Sequence, residues 1–284
     1  MGVTMIYVLY NDKSNRGKPV RVAKRLQKKL IKQKKECILK SIFDIDQHEL
    51  EFHNRLTKED QLYLIGGDGT FHYYINQIYP NPICYRIFVK ASGRGNDLAR
   101  DYKRKRPFEI THLVNQLPSI KVNDQEEYAF FNGIGMGVDS FVCLKQLENG
   151  KAKKKESYFK VALEVFKNFK PYSLDIEIDE IKHHYDKVWF FVCNHGRYFG
   201  GGMKITPKAV REDDHLDLCI VHKIKLWKLL MIFPCVFLGL HRFVKKKYIQ
   251  FHQAKHVVVY PEGCSILQKD GEVVLDVQKI EVHR

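Results

Sequence analysis

The chain reads as two domains in series: an α/β domain with a parallel sheet, then a β-rich domain of sandwich type. Three observations predict this. Up to residue 122, apolar strand-like runs alternate with amphipathic helix-like runs. Two of those strands, Gln61–Ile65 and Cys84–Lys90, run into glycine loops that open helices. Beyond residue 122 the alternation gives way to short runs rich in β-branched residues, with only two helical stretches between them. The domains are therefore set at 1–122 and 123–284, with a return of the closing residues to the first domain as a variant.

Met5–Tyr10 opens the first domain as a strand, and a polar loop, Asn11 to Gly17, follows it. Val20–Lys35 reads as a helix because Val22, Leu26 and Leu30 fall on one face and lysines on the other. Cys37–Phe43, Gln61–Ile65 and Cys84–Lys90 complete the strands, and Phe71–Ile78 is the helix between the last two. In the second domain the strands are Tyr128–Asn132, Ser173–Ile178, Lys187–Asn194, Leu216–His222, His256–Tyr260, Ser265–Gln268 and Glu272–Val277. The helices are Ser157–Phe169 and Leu226–Phe243, and the lysine runs Lys151–Lys155 and Lys245–Lys247 read as loops.

The chain has 284 residues, 44% of them apolar, enough for a sizeable core. Its net charge of +15 suits an anionic partner: a nucleotide, a nucleic acid or an acidic membrane surface. Seven dispersed cysteines form no Cys-x-x-Cys pair and read as free thiols of a reducing compartment. No signal peptide is visible, Ile6 occupies the position where myristoylation of Gly2 wants Ser or Thr, and the apolar run Leu229 to Leu240 contains Pro234. That run is well short of the ~20 residues a spanning helix needs. The expected location is cytoplasmic. The 13 histidines show no ligand spacing and are assigned no chemistry.

Gly66-Gly67-Asp68-Gly69-Thr70 leaves a short apolar strand and enters a helix. Glycine lets backbone approach a phosphate closely, and the helix N-terminus adds unpaired N–H groups. Thr70 can cap the helix or meet phosphate. Asp68 would repel phosphates unless a cation stood between, so it points to Mg²⁺. The competing reading is an ordinary glycine-rich turn. A second loop, Ser92-Gly93-Arg94-Gly95-Asn96-Asp97, repeats the arrangement, with Asn96 or Asp97 as a helix cap. Parallel sheets bind ligands at such carboxyl ends.

At these residues the sequence resembles the soluble diacylglycerol-kinase-type lipid kinases, which include the sphingosine kinases. Gly66–Thr70 is similar to the family's nucleotide loop and Ser92–Asp97 to its second loop. Phe131 to Asp139 resembles the opening of its second domain. Gly200-Gly201-Gly202, Pro207-Lys208-Ala209 and Asp213 to Asp217 resemble its late signature, and Asp270-Gly271-Glu272 its catalytic triplet. The resemblance implies a nucleotide-binding α/β domain, a β-sandwich domain and an active site in the cleft between, with ATP and Mg²⁺ as cofactors. It implies nucleotide contacts from Asn11 and Ser14 of the first loop, and Ser41 stands at a strand end where a hydroxyl could meet the nucleotide. It further implies that Asp270 or Glu272 takes the proton of a lipid hydroxyl, while on spacing alone Asp270-Gly271 is also a good two-residue hairpin turn. Asp213, with the carbonyls of Val210 and His215, is implied to hold a structural Mg²⁺; a solvated acidic loop is the alternative. The sequence departs from the pattern in lacking the first loop's Pro and Gly. Ala91 and Arg94 stand for the second loop's usual Pro and Thr, His72-Tyr73 for the usual Asn-Glu, and Asp214 for the usual Gly. Arg94 could supply a cation to phosphate instead.

The expected acceptor is a lipid alcohol such as diacylglycerol at an anionic membrane surface, visited peripherally. The basic helix Val20–Lys35 and Lys103–Arg106 are candidates for attracting headgroups. In Leu226–Phe243, with Trp227, core packing is favoured over lipid contact. An accessible sheet edge would allow a homodimer. NAD kinase relatives share the Gly-Gly-Asp-Gly loop and are one rival; a degenerate kinase fold acting as a nucleotide- or lipid-binding regulator is another. A nucleic-acid partner is not expected, because no recognition motif accompanies the charge.

Overall fold

The computed structural model describes residues 4–45, 49–151 and 158–284. Gly2, the lysines of 152–155 and Ser157 lie outside the described residues. The chain divides into two compact units, meeting in sequence at Leu117 and Pro118.

The first unit is built on a five-stranded sheet. Its elements are β1 (Ile6–Tyr10), α1 (Lys18–Lys32), β2 (Cys37–Ser41), α2 (Glu49–Asn54), β3 (Gln61–Gly66), α3 (Asp68–Ile78), β4 (Arg86–Ala91), α4 (Asp97–Asp101), β5 (Phe108–Glu109) and α5 (Thr111–Val114). The strand order is β2-β1-β3-β4-β5, with β1 to β4 parallel and β5 antiparallel to β4. Strand alternation sends Ile6 and Val8 to one face, where they pack with Ala23 and Leu30 of α1. Tyr7 points the other way and meets Phe52 of α2 edge-on at 5.0 Å. Helices therefore cover both faces, as the alternating pattern predicts, and all four parallel strands deliver their loops to one edge.

The second unit is an 11-stranded antiparallel sheet that curls on itself. It comprises β6 (Ser119–Val122), β7 (Glu127–Ala129), β8 (Gly133–Gly137), α6 (Val138–Lys151), α7 (Tyr158–Asn168), β9 (Tyr172–Ile178), β10 (Ile181–Asn194), β11 (Leu216–His222), α8 (Leu226–Ile232), β12 (Ile249–Ala254), β13 (His256–Glu262), β14 (Leu267–Lys269), β15 (Glu272–Val274) and β16 (Ile280–His283). The path runs β15-β14-β8-β10-β9-β13-β16-β6-β7, and β11 joins β10 to β12. The long strand β10 makes the curl. Its first half pairs with β9, its second half with β8 and β11, and the register shifts between Tyr185 and Val188 and again between Val188 and Phe190. The closing residues stay in this unit, since β16 is hydrogen-bonded between β13 and β6.

Pro234 ends the regular helix expected over Leu226–Phe243. The chain is α-helical only to Ile232 and continues as 3-10 turns over Phe233–Leu238 and Leu240–Phe243. Among the described residues no helix is long and apolar enough to cross a membrane.

Candidate active site

In the first unit the loops after β1, β3 and β4 are tied together by short bonds. Gly67 and Gly93 meet backbone to backbone: a Cβ built on Gly67 would lie 2.9 Å from the Gly93 Cα, and one built on Gly93 would lie 2.6 Å from the Gly67 Cα. No other residue fits at either place. The Ser92 N–H donates to the Gly66 carbonyl at 2.6 Å. Asn11 Nδ2 donates to Thr70 Oγ1 at 3.1 Å, and Asn15 Nδ2 to the Ser92 carbonyl at 2.7 Å. Asn96, in the left-handed region at φ 55°, closes the second loop on itself. Its Oδ1 accepts from Gly93 N at 2.8 Å and its Nδ2 donates to the Gly93 carbonyl at 3.0 Å.

Asp68 occupies the first turn of α3, and its carboxylate accepts from the backbone N–H groups of Asp97 and Leu98 at 3.0 and 3.1 Å. It thus caps α4, a role that needs no metal and that the charge argument overlooked. A carboxylate oxygen accepts more than one bond, so the group also fits a cation or its water. Arg94 is exposed. Ser14 donates weakly to the Asn11 carbonyl at 3.4 Å. Ser41 sits at the end of β2, where its hydroxyl caps the following turn by accepting from Phe43 N and donates to Asp12 Oδ1 at 2.9 Å. Asn11, Gly66 to Thr70, Gly93, Asn96 and Asp97 form one connected cluster, and Ser41 stands beside it through Asp12.

In the second unit Asp270 and Gly271, at φ 46° and 95°, are the two turn residues between the paired Lys269 and Glu272. The turn aims the Asp270 carboxylate at the start of β8. It accepts from the N–H groups of Phe131, Asn132 and Gly133 at 2.6, 2.9 and 3.2 Å. Three such donors favour the ionised form. Glu272 is exposed, with Lys269 Nζ 3.9 Å from its carboxylate. Lys269 is itself buried over the Tyr128 ring at 3.5 Å, and burial lowers its pKa while Glu272 and Asp270 counteract that.

Sequence reasoning missed the residues that brace this turn. Arg211 is buried and donates to the Phe131 carbonyl and, at 3.0 Å, to Asn132 Oδ1. The segment that Asp270 holds by its N–H groups is thus held by Arg211 through its carbonyl and side chain. His195 packs alongside, donating its backbone N–H to the Asn132 carbonyl at 2.8 Å; burial, then the charges of Arg211 and Arg284, push its pKa far down and keep it neutral. Gln268 accepts from Gly271 N at 2.9 Å and donates to Asp139 Oδ2 at 3.2 Å. Asp139 is buried, and burial raises its pKa to about 7. The signal available for Arg211 was only its place inside the late signature, before Asp213.

Asp139 also lines an apolar cavity. Trp189, Val221, Ala162, Phe166 and Leu229 form much of its wall. The segment Leu226–Phe243 covers it with one side. That side bears out the core packing expected from the sequence, while the other side leaves Trp227, Met231, Leu238 and Phe243 at 56–72% exposure.

The loop of Asp213 carries oxygen donors suited to a hard cation. Asp213 Oδ1 accepts from His215 N at 3.0 Å, and Asp213 N donates to the Val210 carbonyl at 3.1 Å. Burial, then the charge of Asp213, lifts the pKa of Asp217 to about 6, so the spot favours added positive charge. Arg284 already supplies some of it, donating Nε to the Asp213 carbonyl at 3.0 Å.

Residues 5–124 match the diacylglycerol kinase catalytic domain, and residues 132–281 match the YegS C-terminal NAD kinase beta sandwich-like domain. YtlR of Bacillus subtilis (strain 168), whose name proposes a lipid kinase, is 25% identical over 301 residues, 94% of this chain and 93% of its own. A diacylglycerol kinase of Mycobacterium tuberculosis (strain CDC 1551 / Oshkosh) is 24% identical over 222 residues, 75% of this chain and 70% of its own. In fold, the chain is similar to a diacylglycerol kinase from Bacillus anthracis str. Sterne, with a TM-score of 0.66, 19% identity, and coverage of 100% of this chain and 96% of that one. It is similar at a TM-score of 0.50 to yeast NADH kinase complexed with NADH, at 12% identity and covering 100% of this chain and 80% of that one.

Proposed function

The chain belongs to the family that joins a diacylglycerol kinase catalytic domain to a YegS C-terminal NAD kinase beta sandwich-like domain, and on that premise we propose that it transfers the γ-phosphate of ATP to the hydroxyl of a membrane lipid such as diacylglycerol. The observation that carries the lipid acceptor is the apolar cavity of the second unit, with Asp139 among its lining residues. From Asp139 two hydrogen bonds through Gln268 lead to the turn of Asp270 and Gly271. In this reading the apolar part of the lipid enters at the cavity's mouth, and the hydroxyl is held at the turn.

In this reading the bare backbone at Gly67 and Gly93 and the first-turn N–H groups of α3 cradle the phosphates. Mg²⁺, when bound, would neutralise phosphate charge, and Asp68 is the residue to hold it. Asp270, hydrogen-bonded to three backbone N–H groups, orients the hydroxyl, and the more exposed Glu272 takes its proton. The exposed apolar side of Leu226–Phe243, flanked by Lys225, Arg242 and Lys245 to Lys247, is the surface that enters the membrane interface.

Label transfer from γ-labelled ATP tests this, with short- and long-chain diacylglycerol and NAD offered as acceptors. Label in diacylglycerol supports the reading. Ala162→Phe, which narrows the cavity, should then cut turnover of the long-chain lipid much more than that of the short-chain one. Label in NAD alone would move the chain to the second activity of this fold, and no label with ATP bound would make it a regulator.

A further inference from the structure

We propose that His256, Glu281 and His283 form a binding site for a divalent transition-metal ion of the zinc class, on the outer face of the second unit's sheet. The two histidines are 27 positions apart in sequence, and strand pairing makes them neighbours: β13 and β16 run antiparallel with His256 opposite His283. Val257, Val259, Ile280 and Val282 of these strands are buried in the core. Alternation therefore places His256, Glu281 and His283 together on the opposite face.

The geometry there is specific. The Nε2 atoms of both histidines point at one atom, Glu281 Oε1, at 3.1 and 3.2 Å. The rings stack with centroids 4.5 Å apart and planes 19° from parallel. All three ligand atoms lie within 4.8 Å of one another, and the group is only half-buried, so an ion has access. A tetrahedral ion with ligand bonds of about 2.05 Å has its donors about 3.3 Å apart, which is the spacing found for the two nitrogen–oxygen pairs. Two imidazoles and one carboxylate make the borderline donor set that zinc-class ions favour over Mg²⁺ or Ca²⁺. The three leave a fourth position for water. Lys279 Nζ is 3.8 Å from the second Glu281 oxygen, Oε2, which leaves Oε1 as the oxygen facing the two rings. An ion at this place would staple β16 to β13.

The test uses the full chain, stripped with a chelator, and Co²⁺ and Zn²⁺ as the probes. The expected result is one equivalent of Co²⁺ giving tetrahedral ligand-field absorption without a sulfur charge-transfer band, displaced by Zn²⁺. His256→Gln and His283→Gln should each weaken binding by at least about 10-fold. Both side chains lie outside the core, and far-ultraviolet circular dichroism checks that the variants fold. Zn²⁺ should also raise the melting temperature of the wild type and not that of the double variant. Unchanged binding in the folded double variant would overturn the proposal, as would a charge-transfer band, which would put the ion on one of the seven cysteines.

Discussion

Burial strongly alters the chemistry of Asp139. Burial gives it a pKa of about 7 in the folded chain, against an ordinary value near that of a free carboxylic acid. Between those two values the folded state holds a proton that the unfolded state has released, so this group lowers stability as pH rises through the window. Asp139→Asn should flatten the loss of melting temperature between pH 5 and pH 8 by several degrees, read by thermal denaturation; an unchanged slope would mean that the carboxyl is ionised throughout. Arg211 acts by geometry. Its fork reaches two acceptors at once, and Arg211→Lys cannot replace both. That substitution should cost about 2 kcal/mol in urea denaturation, because it leaves a buried acceptor unmet. Neither residue announced itself in the sequence. Asp139 was one letter of a motif, and Arg211 one of 48 basic residues whose partner lies 80 positions away.

The two glycine loops behave as one element because Asp68 belongs to α3 and caps α4. Asp68→Ala should speed amide exchange at Asp97 and Leu98 without nucleotide, by an opening free energy lowered about 2 kcal/mol. Asp68→Asn keeps an acceptor and should restore much of that protection while leaving Mg-ATP binding weak. If the two variants exchanged alike, the capping role would be in doubt. Strands β3 and β4 and their loops were legible from apolar runs leading into glycine loops, and β11 was read to its last residue. β8 was not, because glycine at 133, 135 and 137 gives no alternating signal. Those glycines are there since a Cβ would strike Asn194, Asp139 and the Trp189 carbonyl. The helix α6 was missed for a related reason: its early turns are buried on more than one side, so no single apolar stripe marks it. The core packing expected of Leu226–Phe243 holds for one side of it, where Leu229, Phe233 and Val236 pack inward; its outward side chains were invisible to a pattern that counts only hydrophobicity. Trp227→Ala with Phe243→Ala should reduce binding to anionic vesicles several-fold and leave the melting temperature unchanged.

For the whole molecule, the charge of +15 and the exposed apolar segment predict a two-part response to salt. Raising salt from about 0.1 M to about 1 M shortens the screening length from about 10 Å to about 3 Å. Vesicle association should weaken accordingly and then level off at the apolar contribution, as measured by sedimentation. Complete loss at high salt would assign the association to charge alone. The second unit's topology also sets an order in time. Among the described residues the hairpin of β6 and β7 is paired into the sheet through β16, although β16 is made some 150 residues later. As the chain leaves the ribosome, residues of the first unit have all their sheet partners early. The hairpin must wait, with its β6 edge unpaired, until β16 has been synthesised. The interval is one in which chaperones, or another copy's exposed edge, have the first chance at it.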